Sequence, residues 1–360
     1  MKRSAQLSHI RQLCCMGLPG ESLMPTLLRS VREYAGADSA GFFWVDANGD
    51  MTNLYADRML SPGLMQLYFE RHYDGAEYPF RQAFIARAAA SDAVSSSTAT
   101  AELAKTAYYN EILKHLDAHH VLYAVVREQA HALGQLSLYR PKNSVAFSAE
   151  DRAAIRNISR YIAHGVNRPK AMTAQSEFVD AETEGMAVVD FMGRIVEGAA
   201  ASLQLLSMAL KREFRPDVHP LMIGETVPDA AAALLQRLQK TMRGEAADAP
   251  RTVIDGPWGR FLLSAYALDD DATAPNARAA IHIRHQQPMI LKLAEAMGRF
   301  DISPQQREIA LRLAQGLSNQ QISETLHLSV NTVNYHIKRL FVRLDAHDRA
   351  DAVTKMLARR

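Results

Sequence analysis

The sequence has few cysteines and no long apolar run, and both absences restrict the class of protein. Its two cysteines, Cys14 and Cys15, are adjacent, so they cannot join distant parts of a fold as a disulfide framework. A vicinal thiol pair can act as a redox or metalloid sensor, but two thiols do not complete a metal site. The favoured interpretation is an inert N-terminal helix.

No uninterrupted apolar stretch approaches the roughly 18–20 residues that a membrane-spanning helix needs. The first residues, MKRSAQLSHIRQLCCMG, also lack an apolar signal core followed by a small-residue cleavage site. We therefore expect a cytoplasmic protein that makes no membrane contact.

Length and charge indicate several globular domains with a basic end. Hydrophobic residues make up 48% of the sequence and charged residues 22%, which is typical of folded domains. A chain of 360 residues is too long for one ordinary core. The net charge is only +2, but residues 299–360 contain ten Lys/Arg and six Asp/Glu, so they carry +4 and the preceding residues carry −2. A basic terminal segment on a near-neutral body is typical of a DNA-binding domain.

The first predicted domain, residues 1–167, combines an antiparallel sheet with helices. Apolar alternation predicts one hairpin around Asp46–Asp50 and a second, longer hairpin around Arg127–His131. An amphipathic helix at 148–166 closes the segment, and the Ser/Thr-rich tract near residue 91 is predicted to be an exposed loop. This order of hairpin, helical insertion, hairpin and closing helix resembles a GAF-like sensor domain.

A second mixed domain is predicted at 176–286, after a basic, proline-containing linker at Asn167–Gln175. It begins with two strands around a turn at Asp190–Gly193, followed by helices, one of them near Pro228–Met242, and further strands. This opening resembles a PAS-like domain. Residues 287–300 carry apolar side chains at spacings of three and four, which predicts a helical connector.

The last segment, residues 301–360, predicts four helices. Ser303, Ser318 and Ser329 are the expected N-caps of the first three helices, and Asp348 is the expected cap of the fourth. The apolar positions of this segment form one small predicted core, which comprises Ile309, Leu313, Ile322, Leu326, Leu328, Val333, Ile337, Leu340 and Leu344. The predicted fold class is therefore two α+β modules followed by an all-α helix-turn-helix domain.

The third predicted helix has a polar face that suits DNA. Only a short turn at His327–Ser329 separates it from the second helix, which is the spacing of a helix-turn-helix. Opposite its apolar stripe lie Asn331, Asn334, Tyr335 and Lys338, whose side chains can hydrogen-bond to base edges in the major groove. The alternative is the solvated face of an ordinary helical bundle.

Residues Ile302–Val353 closely resemble the LuxR-type helix-turn-helix family. The family signature is present as Ser303–Pro304, Arg307–Glu308, Gly316–Ile322 and Ser329–His336. This resemblance implies that the partner is double-stranded DNA.

The resemblance also implies roles for individual side chains. It implies two groups of residues, the base-contacting Asn334, Tyr335 and Lys338, and the phosphate-contacting or positioning Ser329, Asn331, Thr332, Arg339 and Arg343. The family often has Lys where this chain has Asn334, and Asn pairs well with the N6/N7 edge of adenine. His336 lies beside the apolar stripe, so we interpret it as structural or close to a phosphate.

One helix-turn-helix offers little contact for specificity, so we expect a homodimer on a two-fold related operator. The last helix has more apolar side chains than the small core can bury. Candidates for the dimer contact are therefore Val353, Met356 and Leu357. A small organic effector is expected in a pocket of the first module, and its predicted aromatic lining is Phe42, Trp44, Tyr123 and Tyr139. The alternative is that these aromatic residues simply fill the core.

Two other classes of function stay open. One is a constitutive DNA-binding adaptor whose N-terminal modules make only protein contacts. The other is an N-terminal metal-dependent enzyme domain, for which His115, His119, His120 and His131 are the candidate ligands, although no carboxylate is placed to complete the set. The loop at Asp269–Asp271 lacks calcium-ligand spacing. We predict no enzymatic activity, no cofactor and no metal.

Overall fold

The computed structural model describes residues 3–73, 80–90, 92–167, 177–210, 221, 223–271, 274, 276–298 and 302–358. The first α+β part contains α1 (Arg3–Cys14), α2 (Gly20–Ala35), β1 (Ser39–Val45), β2 (Met51–Ala56), α3 (Pro62–Leu67), α4 (Phe80–Ala89), β3 (Val94–Thr98), β4 (His120–Glu128), β5 (His131–Arg140) and α5 (Ala149–Val166). Short π-helical turns at Tyr68–His72 and Tyr109–Leu113 lie between these elements.

The strands of this part form one antiparallel sheet in the order β2-β1-β5-β4-β3. Both predicted hairpins are confirmed as β1–β2 and β4–β5. The closing helix α5 begins after Ser148, whose hydroxyl accepts a hydrogen bond from the Asp151 amide while the Asp151 carboxylate accepts one from the Ser148 amide. Ile155, Ile158 and Ile162 face the sheet and are buried.

One prediction in this part is wrong. The serine- and threonine-rich tract near residue 91 is not a loop throughout, because Val94–Thr98 forms the edge strand β3, paired with β4. Only Val94 of this strand is buried. An edge strand with one face in water needs no apolar alternation, so its sequence does not distinguish it from a polar loop.

The second α+β part forms another antiparallel sheet, in the order β7-β6-β10-β9-β8. Its elements are β6 (Phe178–Asp190), β7 (Ile195–Gly198), α6 (Ala200–Leu210), α7 (Asp229–Met242), β8 (Arg251–Gly256), β9 (Gly259–Ala267) and β10 (Arg278–Pro288). The predicted turn at Asp190–Gly193 and the predicted helix at Pro228–Met242 are both present. Strand β8 was not predicted, and residues 168–175 of the predicted linker lie outside the described residues.

The connector and the terminal segment are helical. Their elements are α8 (Met289–Gly298), α9 (Pro304–Ala314), α10 (Asn319–Leu326), α11 (Val330–Leu344) and α12 (Arg349–Ala358). Strand β10 continues to Pro288, so the connector helix begins two residues later than predicted. Buried apolar side chains form a continuous cluster from the first sheet through α8 to α12. Among the helices of the described ranges, none is long and apolar enough to cross a membrane.

Candidate nucleic-acid interface

Side-chain caps fix where α9 and α10 begin. The hydroxyls of Ser303 and Ser318 accept hydrogen bonds from the amides of Gln306 and Gln321, each at 3.2 Å. The two glutamine side chains accept in return from the cap amides, at 2.9 and 2.8 Å. Each pair satisfies two amide donors that the first helical turn leaves without a backbone partner. The predicted caps are therefore confirmed.

The turn between α10 and α11 is tight. His327 ends α10 in the left-handed region, with φ 53° and ψ 44°, and Ser329 caps α11 by accepting a hydrogen bond from the Thr332 amide at 3.0 Å. A left-handed residue reverses the chain in very few residues, although a non-glycine residue adopts it at some cost. The short connection places α11 across α10, as a helix-turn-helix requires.

The predicted core of this segment is formed mainly by the side chains that the sequence indicated. Seven of the nine predicted core residues are buried, and the other two are partly buried against them: Ile309, Leu313, Ile322, Val333, Ile337, Leu340 and Leu344 in the first group, and Leu326 and Leu328 in the second. Val333, Ile337, Leu340 and Leu344 lie on one side of α11, so that side is unavailable to DNA.

The opposite side of α11 is exposed and basic. Asn331, Tyr335, Lys338, Arg339 and Arg343 are exposed, and Tyr335 is 54% exposed despite its aromatic ring. No acidic residue occurs from 327 to 344. A surface with these donors and no carboxylate attracts phosphate and can hydrogen-bond to base edges.

Two of the predicted DNA-contacting residues, Thr332 and Asn334, are half-buried. The side-chain oxygen of Asn334 accepts a hydrogen bond from Asn319 Nδ2 at 2.6 Å, and the side-chain oxygen of Asn319 accepts one from Arg349. Arg349 also donates to the carbonyl of Leu317. This chain of hydrogen bonds joins α10, α11 and α12 and orients the amide of Asn334.

No role at this face was predicted for Asn319, although it lies within the signature stretch Gly316–Ile322, and Arg349 was not predicted either. The two contacts span 15 and 30 residues, so no local pattern predicts them.

Tyr335 and Arg339 also form a pair. Arg339 Nη1 donates to the Tyr335 hydroxyl at 3.0 Å, and the guanidinium lies 5.6 Å from the ring centroid. Residues one turn apart on a helix are neighbours, so the pair holds the tyrosine ring against the helix surface. The ring of His336 meets that of Tyr335 edge-on at 5.3 Å. Its Nδ1 atom is buried and has no hydrogen-bond partner among the described residues.

Comparison with known proteins agrees with this geometry. Residues 301–356 match the model of the bacterial regulatory proteins, luxR family. This segment is a LuxR-type DNA-binding domain.

The curated relatives match over a short part of the chain. The response regulator protein VraR of Staphylococcus aureus is 35% identical over 52 residues, which are 14% of this chain and 25% of VraR, and VraR of Staphylococcus epidermidis matches equally. The chain thus spans about a quarter of the length of these relatives.

Solved structures match over a longer part of the chain but at low similarity. A VqmA dimer of Vibrio cholerae is 16% identical, with 49% of this chain and 83% of that chain covered and a TM-score of 0.17. A VqmA–ligand–DNA complex of the same organism is 15% identical, covers 49% and 83%, and has a TM-score of 0.21. The DhaR(N)–DhaL complex of E. coli is 13% identical, covers 79% and 87%, and has a TM-score of 0.24. At these TM-scores the matches define neither the arrangement of the modules nor a ligand.

The LuxR-type domain is docked on the body of the protein. Helix α12 packs against α8, and Met356 is fully buried while Val353 and Leu357 are partly buried. These are the three residues proposed from the sequence for a dimer contact. The core predicted from the sequence did not include α8, against which α12 packs within the same chain.

A second docking contact joins α1 to α9. Gln12 Nε2 donates to Glu308 Oε1 at 2.9 Å, and His9 and Arg307 are both buried. Burial, together with the charge of Arg307, lowers the pKa of His9 to about 4. His9 is therefore neutral at pH 7.

The four aromatic residues predicted to line one pocket do not lie together. In the register of the sheet, Phe42 lies opposite Leu136 and Ser39 lies opposite Tyr139. Phe42 and Trp44 therefore point to the sheet face covered by α1, α2 and α5, while Tyr123 and Tyr139 point to the other face. Trp44 packs edge-on against Trp258 of the second module, with 5.8 Å between ring centroids.

The face of Tyr139 does border a cavity, of about 90 Å³. It lies between the sheet and the helical insertion, and Phe43, Met65, Tyr68 and Tyr108 contribute to its largely apolar wall. Ser137 adds a hydroxyl, which accepts a hydrogen bond from the buried Gln135 at 3.3 Å. Of the four predicted aromatic residues, Tyr139 borders this cavity from its own face of the sheet. Phe42 also lines it, although the Phe42 ring is buried on the other face, and Trp44 and Tyr123 do not line it.

The histidines considered as metal ligands do not form one cluster, although the rings of His119 and His120 meet edge-on with 4.8 Å between their centroids. His120 pairs with the Thr98 hydroxyl at 2.9 Å, whereas His115 and His131 are exposed. Within the described ranges, no group of three or more His, Cys, Asp or Glu side chains could hold a metal ion. Cys14 is buried and Cys15 is exposed.

Proposed function

We propose that the protein is a transcription regulator that binds a two-fold related operator as a homodimer, with α11 of each copy in the major groove. The observation that carries the proposal is the exposed face of α11, where Lys338, Arg339 and Arg343 accompany polar side chains and no carboxylate intervenes. We propose that the protein has no catalytic activity.

The same face supports a division of roles within α11. Asn334, Tyr335 and Lys338 are proposed to contact base edges, and the Asn319 contact orients Asn334 for this purpose. The cap of the helix and its flanks are proposed to contact or position the DNA backbone through Ser329, Asn331, Thr332, Arg339 and Arg343.

The two α+β parts are proposed to be a GAF-like module at residues 1–167 and a PAS-like module at 176–286 that regulate the domain. The cavity beside Tyr139, at about 90 Å³, is smaller than the roughly 300–1,000 Å³ typical of ligand pockets, so the proposed effector is a very small apolar molecule with one hydrogen-bonding group for Ser137, or one for which the cavity widens. The competing proposal is a constitutive adaptor. If no small molecule changes the operator affinity of the full chain, the adaptor proposal replaces the sensor.

Substitution of Lys338 tests the proposed DNA interface. Lys338→Ala removes a base contact, so it should weaken binding to a mapped operator by about 1–3 kcal/mol while leaving non-specific binding much less affected. Lys105→Ala, which removes an exposed lysine of the first part, is the matched control. The measurement is the dissociation constant of wild type and each variant for operator and non-specific DNA at one salt concentration. Equal operator affinity for wild type and Lys338→Ala would exclude the proposed role of α11.

A further inference from the structure

A second cavity lies where the two α+β parts, the connector α8 and the DNA-binding domain meet. Its volume is about 370 Å³, which is within the roughly 300–1,000 Å³ typical of ligand pockets. The first part contributes residues of α2 and β2 to its wall, and the second part contributes residues of β6, α6 and β10. Leu357, in the last turn of α12, reaches it from the DNA-binding domain. We call this space the junction cavity.

The acidic side chains of the junction cavity are already paired within the chain. Three carboxylates line it, and each has its own cation: Asp57 with Arg32 at 2.9 Å, Glu182 with Lys292 at 2.8 Å, and Glu295 with Arg29 at 3.3 Å. The two oxygens of Glu295 also accept hydrogen bonds from Thr26 at 2.6 Å and from Gln287 at 3.0 Å. These carboxylates therefore do not need a cationic ligand to balance their charge.

The hydrogen-bond donors of the junction cavity are less fully used. Arg29 donates to Glu295 through Nη1 and its side chain is 54% exposed, so its other N–H groups are accessible to a ligand. The Nε2 atom of Gln204 is buried and has no hydrogen-bond partner among the described residues. Burial raises the pKa of Tyr55 to about 12, so its hydroxyl keeps its proton and can donate. A buried donor without an acceptor is destabilising, so a ligand oxygen that accepts from Gln204 gains free energy.

We propose that the junction cavity binds a small organic acid, whose carboxylate accepts hydrogen bonds from Arg29 and whose other oxygens accept from Gln204 and Tyr55. An arginine can bind a carboxylate through two parallel hydrogen bonds. Leu205 and Leu357 also line the cavity and can contact a short apolar body. This site is separate from the 90 Å³ cavity of the first sheet.

A ligand in the junction cavity would contact all parts of the chain at once. Because the wall includes both α+β parts, α8 and Leu357 of α12, the ligand binds the docked arrangement better than one in which the DNA-binding domain has moved away. We therefore expect a saturating ligand to change the operator dissociation constant by about fivefold or more. This effect on DNA rests on the proposed function, whereas binding of the acid does not.

The test is isothermal titration calorimetry of the full chain without DNA at pH 7. The probes are lactate, succinate, glutarate and benzoate, each compared with its amide, which has nearly the same shape and no charge. Wild type should bind at least one of these acids with a dissociation constant of about 1 mM or lower. The corresponding amide should bind about tenfold more weakly or worse, because it lacks the charge that Arg29 recognises.

Variants locate the binding site. Arg29→Gln removes the charge, and Ala201→Phe narrows the cavity at an exposed alanine of its wall without removing a polar group. Each should weaken binding of the acid about tenfold or more. The matched control is Arg156→Gln, at an arginine of α5 that is 51% exposed, pairs with Asp92 and does not line the cavity. Circular dichroism and thermal unfolding verify that the variants are folded.

The outcomes separate this inference from the proposed function. The inference is overturned if none of the acids binds, if each amide binds as tightly as its acid, or if folded Arg29→Gln and Ala201→Phe bind the acid like wild type. If wild type binds an acid but no DNA, the proposed function fails and the site stands. An operator dissociation constant that stays the same at saturating acid would overturn the expected coupling to DNA.

Discussion

Acid should weaken the contact between α1 and α9 through His9. The side chain is 7% exposed, and its Nδ1 atom has no hydrogen-bond partner among the described residues. Burial and the charge of Arg307 lower its pKa from 6.5 to about 4. Protonation inside the fold therefore places a second cation beside Arg307 with no acceptor for it.

The sign and size follow from the two pKa values. Because the pKa in the folded state lies below the unfolded value, the stabilisation is complete above about pH 6.5 and is lost as the pH falls through 4. A difference of about 2.5 units corresponds to about 3 kcal/mol. His9→Gln cannot gain this proton and should lose less stability over the same interval.

Urea unfolding between pH 7 and pH 4 measures this difference, with tryptophan fluorescence as the signal. The two tryptophans, Trp44 and Trp258, are in contact between the two modules and report on the body to which α1 belongs. His347→Gln, at an exposed histidine, is the matched control and should follow wild type. If wild type and His9→Gln lose stability in parallel, His9 is not buried as a neutral group beside Arg307.

Three further substitutions test the DNA interface and the fold. Arg343→Ala should weaken specific and non-specific DNA binding alike and reduce the slope of log affinity against log salt by about one, measured by titration at several salt concentrations. Ser329→Ala removes the cap of α11 and should lower the free energy of unfolding by about 1 kcal/mol in thermal denaturation. Gly134→Ala would place a methyl group 2.1 Å from the carbonyl oxygen of Phe43, so we expect little folded, soluble protein on expression.

The terminal domain was predictable because its signals are local. Each cap acts over three residues, so Ser303 with Gln306 and Ser318 with Gln321 reveal helix starts without knowledge of the tertiary fold. The apolar spacing of α11 then divides its residues between core and surface. The local pattern therefore predicted which side chains of α11 are buried in the core. It did not predict the contact of Arg349, which reaches α10 from another helix.

The pocket lining could not be predicted in the same way because it depends on strand register. Alternation assigns Phe42 and Trp44 to one face of β1, and this holds in the structure. Alternation does not show which side chains of β5 lie on the same sheet face as Phe42 and Trp44. The pairing of Ser39 with Tyr139 places Tyr139 on the opposite face. The edge strands β3 and β8 were not predicted because an edge strand needs few apolar residues.

Helix α8 joins the body of the protein to the DNA-binding domain, alongside the direct contact of α1 with α9. It follows β10 directly, and its Glu295 carboxylate accepts hydrogen bonds from Thr26 of α2 at 2.6 Å and from Gln287 at 3.0 Å. On its other side α8 holds α12. An effector changes DNA affinity only by its difference in binding free energy between two arrangements of the chain.

Glu295→Ala removes the carboxylate that ties α8 to both modules and touches no residue of α11. If α8 couples the parts, the operator dissociation constant of the full chain should change by about fivefold or more, in the range of typical coupling energies. Glu150→Ala, at an exposed glutamate of α5, is the control. An unchanged operator affinity for folded Glu295→Ala would mean that the docked arrangement has no influence on DNA binding, and the domain would then act independently of the body that carries it.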